Sequence, residues 1–159
     1  MEKKLNSYLG MAYSDYLYAQ AGMEVGRKFG DYNGVASMCS QSAEKYLKAV
    51  LEQCIIEEDI ISFLHSHNLR AILNRIKEKY KDFDVSSKDM NWLGDFYFDA
   101  RYPGDNFVAV SESDALECLR IVEELEKKVE ELLIEEEKQR EIKKEKINGL
   151  QSFFIGKDG

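Results

Sequence analysis

Proline occurs once in these 159 residues, histidine twice and cysteine three times. So little proline leaves long helices uninterrupted, because a ring without an N–H is what most often ends one. Cys39, Cys54 and Cys118 are odd in number, and the first two sit on what reads as one helix, roughly 22 Å apart at 1.5 Å per residue, too far to bridge. No Cys-x-x-Cys pair or His/Cys cluster sets a zinc site, so three buried, reduced thiols are expected, with no metal and no cofactor. Met1 is followed by Glu2, Lys3 and Lys4 and by no apolar run of signal-peptide or membrane-spanning length, which points to a cytoplasmic protein without a membrane partner. Serine nucleophile elbows, Walker loops and dinucleotide glycine fingerprints are missing as well.

What is present fits one helical domain. Hydrophobic residues make up 44% and charged residues 33%, with nine Tyr and eight Phe, and the length is enough to bury a core without disulfides or metal. The net charge of −8 is uneven: residues 134–159 hold six acids and six bases, so the whole excess lies in residues 1–133. A chain this acidic repels phosphate backbones at long range, and any nucleotide or nucleic-acid contact needs a local basic pocket.

Hydrophobic spacing predicts an all-α fold, a five-helix up-and-down bundle over residues 1–133 with a charged helical extension and a short apolar tail over 134–159. Leu5, Leu9, Ala12, Tyr16, Ala19 and Met23 form the seam of the first helix, which Gly30 ends. Val35, Cys39, Ala43, Tyr46, Leu47, Val50 and Cys54 form the second, with Glu44, Lys45 and Lys48 expected largely on other faces; the two helices should pair antiparallel. After an acidic turn, EEDIISFLHSHN, come a third helix marked by Leu69, Ile72, Leu73, Ile76 and Tyr80 and a fourth with Met90, Leu93, Phe96, Tyr97 and Ala100. The fifth carries Leu116, Leu119, Val122, Leu125, Val129 and Leu132. Ser86 with Asp89 and Ser111 with Asp114 have the spacing of helix caps.

The single proline stands in FYFDARYPGDNF, residues 96–107, among an arginine, aromatics and acids. Pro103 ends the fourth helix by pushing Tyr102 out of helical geometry, and Gly104 lets the chain turn. Arg101 suits bidentate grip on a phosphate or carboxylate, with Tyr97 or Tyr102 as a platform for a base. The plainer reading has Arg101 satisfying the last carbonyls of its helix and pairing with Asp99 or Asp105. His65 and His67 lie near the start of the third helix; with Glu57, Glu58 and Asp59 nearest in sequence they do not make a complete ligand set.

Three stretches in this order, CSQSAEKYLKAVLE (39–52), SHNLRAIL (66–73) and FYFDARYPGD (96–105), resemble the HEPN family, the "higher eukaryotes and prokaryotes nucleotide-binding" domain, in the branch carrying an Arg-Tyr-Pro element. The likeness runs from about residue 5 to 133. It implies a homodimeric helical bundle, often bound to a minimal nucleotidyltransferase in a toxin–antitoxin pair, with a nucleotide or RNA as ligand. The family-like positions are Glu44, Lys45, Lys48, His67, Leu69, Arg101, Tyr102, Pro103 and Asp105. Of these, Lys45, Lys48, His67, Arg101, Tyr102 and Asp105 are the candidate ligand-binding residues, with Lys45, Lys48, His67 and Arg101 expected around one locally positive hollow.

Many such proteins are ribonucleases with an arginine followed by a histidine after four to six residues. Here no arginine lies at that distance before His65 or His67, and no histidine follows Arg101. The leading expectation is therefore a non-catalytic module. The alternatives are a ribonuclease toxin in which His67 of one subunit meets Arg101 of its mate, and an interaction protein using Leu150, Phe153 and Phe154 of GLQSFF as a peptide for a hydrophobic pocket.

Overall fold

The computed structural model describes residues 3–55 and 60–155, the side chains of Phe98 and of residues 150–155 excepted. It is all-α: α1 (Tyr8–Phe29), α2 (Asn33–Cys54), α3 (Ile60–Leu64), α4 (Leu69–Lys79), α5 (Ser87–Asp99) and α6 (Glu112–Ile155). Among the described residues no helix is long and apolar enough to cross a membrane.

Local chemistry sets the helix ends. Ser7 caps α1 by accepting from Gly10 N at 3.1 Å, and Leu5, placed in the seam by its spacing, lies before that cap and is exposed. At the other end Gly30 takes φ 74°, which a side chain would strain, and its N–H closes on Gly26 O at 2.7 Å while Arg27 and Lys28 complement the helix dipole. Asn68 caps α4 through Ala71 N at 3.0 Å, and Ser86 caps α5 through Asp89 N at 3.1 Å. Ser111 and Asp114 form a reciprocal pair: Ser111 Oγ accepts from Asp114 N at 3.1 Å and Asp114 Oδ2 from Ser111 N at 3.2 Å.

Helix α2 is the axis of the bundle. It packs on α1 along its length, on α6, and on α4 and α5 from the remaining side. Helices on so many sides cover even its polar residues: Ser40, Ser42, Glu44 and Lys48 are buried beside Tyr46, Leu47 and Val50. Glu44 and Lys48 lie off the apolar seam, as their spacing predicts, and that face is covered as well. The 3.6-residue period of α2 identified the apolar stripe but not how many neighbours close around it.

Two expectations shift. The acidic turn contains one further short helix, α3, whose Ile60, Phe63 and Leu64 pack partly against the core. On α6 the buried seam is Ala115, Cys118, Val122, Leu125, Val129 and Leu133, while Leu116 is exposed. Small Ala115 and Cys118 are fully buried, and the larger leucine one position on falls outside the packed face. Beyond Leu133 the helix continues unbroken with its side chains largely exposed through Gly149, and the Arg140 guanidinium donates to Gln53 O.

The proline segment is tied back to the bundle by one residue. Asn33, in the first turn of α2, donates from Nδ2 to Ala100 O at 3.0 Å and Val108 O at 2.8 Å, and its Oδ1 accepts from Val110 N at 2.9 Å. Val108 N also donates to Asp99 O at 2.9 Å, closing residues 99–108 into a loop that starts where α5 stops.

Candidate functional site

On the side of α2 covered by α4 and α5, five side chains form a continuous row. At its buried end Lys48 Nζ donates to Glu44 Oε1 at 2.6 Å, an i,i+4 pair with both side chains less than a tenth exposed. Burying two charges is costly unless each is fully engaged. Glu44 meets that condition with its second oxygen: Oε2 lies 3.0 Å from His67 Nδ1, which is on the chain entering α4. A carboxylate only accepts, so the shared proton sits on Nδ1 and the imidazole Nε2 is turned away from Glu44.

The imidazole stacks on Tyr97 of α5, with centroids 4.8 Å apart and 18° between planes. The guanidinium carbon of Arg101 lies 5.3 Å from the centroid of the same Tyr97 ring and 5.8 Å from that of Tyr102. Tyr97 thus joins a histidine and an arginine that are 34 residues apart in sequence. The Arg101 contact is electrostatically sensible, since a cation over a ring face is attracted by its quadrupole.

The outer end of the row is open. Among the described residues no carboxylate pairs with Arg101, although Asp99 and Asp105 flank it in sequence. Asp105 lines a hollow of about 440 Å³ with Asp99, Tyr102, Pro103, Gly104 and Phe107. On the other side His67 borders a cleft of about 330 Å³ between α4 and α5, lined also by Ser66, Asn68, Arg70, Asn91 and Asp95. Such a cleft has room for a base or a small anion and offers both donors and acceptors.

Lys45 stands apart from this row. Its ammonium pairs with Asp15 of α1. Lys48 reaches the row but is consumed by Glu44, so it contributes orientation and not a free positive charge. Of the four cations expected around one hollow, His67 and Arg101 share an open surface; Lys48 stands behind it and Lys45 does not take part.

Residue patterns alone missed two features. One is the central place of Tyr97, which spacing presented only as one of two aromatics near Arg101. The other is Tyr8 in the first turn of α1, whose hydroxyl pKa is pushed up by burial first and then by the charges of Glu52 and Glu44. No local signal marks either, because both depend on contacts between distant helices.

Among the described residues no group of three or more His, Cys, Asp or Glu side chains could hold a metal ion; Glu57, Glu58 and Asp59 lie outside them. The backbone at Phe153 and Phe154 is helical, while their side chains and that of Leu150 lie outside the described part.

In comparisons with known proteins, the family model described as "HEPN domain" matches residues 7–132. No curated protein and no solved structure matches the chain.

Proposed function

The chain belongs to the HEPN domain family, and on that premise we propose that it is a non-catalytic, homodimeric module that binds a nucleotide, a nucleotidyltransferase partner, or both. The observation that supports this most is the convergence of His67 and Arg101 on the Tyr97 ring. Arg101 grips a phosphate in bidentate fashion, Tyr97 and Tyr102 offer faces for the base, and His67 supplies a second polar contact from the cleft side. Lys48 and Glu44 act behind the site by fixing the imidazole. Asp105, on the neighbouring loop, suits a sugar hydroxyl.

Because the surface is acidic overall, this pocket works by short-range contacts and not by a broad positive field. Isothermal titration of the purified protein against a panel of nucleoside mono-, di- and triphosphates, alone and with the product of the neighbouring gene, tests the reading. Saturable heat with at least one nucleotide is expected, and silence throughout would remove it.

A second reading, a ribonuclease, draws on one observation: Glu44 holds His67 as a carboxylate holds a catalytic imidazole, and Arg101 is near enough to share a ring with it within one protomer. A histidine so held can move a 2′-hydroxyl proton while an arginine stabilises phosphorane charge. Degradation of RNA by the wild type but not by His67→Ala would favour it; no degradation by either would end it.

A further inference from the structure

Ahead of α1 the chain places an ammonium in a pocket built by three helices. Lys3 Nζ pairs with Glu126 of α6, lies 3.1 Å from Glu130 Oε1, and stands 3.9 Å from the centroid of the Tyr13 ring of α1. Two carboxylates and an aromatic face suit an alkylammonium, because the oxygens accept its N–H bonds and the ring attracts its charge. The pocket is largely buried, with the Glu126 side chain 13% exposed. Burial alone would lower the Lys3 pKa, yet the hydrogen bonds to Glu126 and Glu130 outweigh it and the value is raised.

Lys3 does not engage everything the pocket offers. Tyr46 of α2 is fully buried, and among the described residues its hydroxyl has no hydrogen-bond partner. It faces the same carboxylates: burial first, then the charges of Glu126 and Glu130, pushes its pKa well up. An unpaired hydroxyl inside a charged pocket marks the place of a missing ligand atom. The tether explains why Lys3 leaves it out. Ser7 N and Ser7 Oγ both donate to Lys4 O, at 3.0 and 2.7 Å, and the turn lies so close over Gly10 that a side chain there would collide with Lys4 O.

We infer that this pocket is a binding site for a primary ammonium group of a polyamine, filled in this structure by Lys3. A free ammonium has three N–H donors: two go to Glu126 and Glu130 and the third to the Tyr46 hydroxyl. Glu123 and Glu137 fall on the same stripe of α6, so carboxylates continue to about 10 Å beyond Glu130 along the helix, where further ammonium groups of one ligand would lie. The ring and the phenol favour an organic cation over Mg²⁺ or Ca²⁺, which take oxygen ligands throughout. A chain of net charge −8 also draws polycations at long range. None of these side chains belongs to the row from Lys48 to Tyr102, so the site is independent of the nucleotide reading.

Titration calorimetry with spermidine at constant ionic strength tests it on the full chain. Lys3→Ala, altered ahead of the first helix, is expected to keep its helical circular dichroism and to bind spermidine saturably, roughly tenfold tighter than wild type, in which Lys3 competes. Adding Glu126→Gln, which keeps the side chain's shape, is expected to weaken that binding roughly tenfold. Adding Tyr46→Phe instead is expected to weaken it roughly fivefold without lowering the melting temperature, the lost hydroxyl having had no partner. n-Propylamine should bind more weakly than spermidine, and equimolar Mg²⁺ should not displace it. No saturable heat with Lys3→Ala, equal affinity in Lys3→Ala and wild type, displacement by Mg²⁺, or an affinity that neither Glu126→Gln nor Tyr46→Phe changes would each overturn the site.

Discussion

Tyr97 lies flat against His67, 4.8 Å between ring centroids, and the same ring has the Arg101 guanidinium 5.3 Å away. Whatever binds at the outer end of the row depends on that ring for the mutual placement of the imidazole and the guanidinium. Tyr97→Leu keeps a comparable apolar volume but removes the stacking face, whose contacts are each worth about 0.5–1.5 kcal/mol. Nucleotide affinity is expected to fall roughly tenfold, with a melting temperature within a few degrees of wild type. Titration calorimetry and thermal denaturation on the same preparation check both halves.

Glu44 and Lys48 supply the second prediction. Glu44→Ala leaves the Lys48 ammonium buried without a partner, a loss of about 3–5 kcal/mol in urea denaturation. The double variant Glu44→Leu/Lys48→Met, apolar on both sides, recovers most of that stability. It does not recover binding, because the imidazole has lost the acceptor that orients it. Stability restored together with affinity would show that Glu44 has no positioning role.

Asn33 makes a third. Its amide carries three hydrogen bonds to the backbone of residues 100–110, so Asn33→Ala leaves Ala100 O, Val108 O and Val110 N unpaired, at about 1–3 kcal/mol. The loop bearing Arg101 and Tyr102 then loosens. Faster amide hydrogen exchange at residues 100–110 than in α2 is the expected signature.

The thiols make a fourth. Burial pushes the Cys39 thiol well above its ordinary value of 9.0 and raises Cys118 to about 12. With folded-state values above unfolded ones, the unfolded chain releases these protons first. Stability from these groups is therefore full below pH 9 and falls as pH climbs from there toward 12. Urea midpoints at pH 8 and pH 10 should differ in that direction. All three cysteines should resist a thiol reagent at pH 8 in the native state and react in urea.

Much of this fold was legible in the sequence because it is locally encoded. The α1 seam from Leu9 to Met23, the Gly30 stop and the two serine caps depend on neighbours within one turn. The spacing favours Leu116 over Ala115 because a larger apolar residue looks like core unless the packing around α6 is known. The site was harder. His67, Arg101 and Lys48 could be named from an ordered set of motifs, yet Lys45 has the same residue type as Lys48 and only the presence of Asp15 on α1 sends it elsewhere. That Tyr97 joins His67 to Arg101 is a contact between α5 and the entry to α4, which no periodicity contains.

Titration calorimetry of Arg101→Ala and Arg101→Lys beside wild type, with the tightest nucleotide of the panel, tests the ligand site most directly. Arg101 is exposed and its removal leaves the core intact. A loss of at least tenfold in affinity for Arg101→Ala, with Arg101→Lys between it and wild type because an ammonium lacks the planar fork, is the predicted result. Affinity unchanged in both variants would contradict the assignment of this row as the place where a phosphate binds.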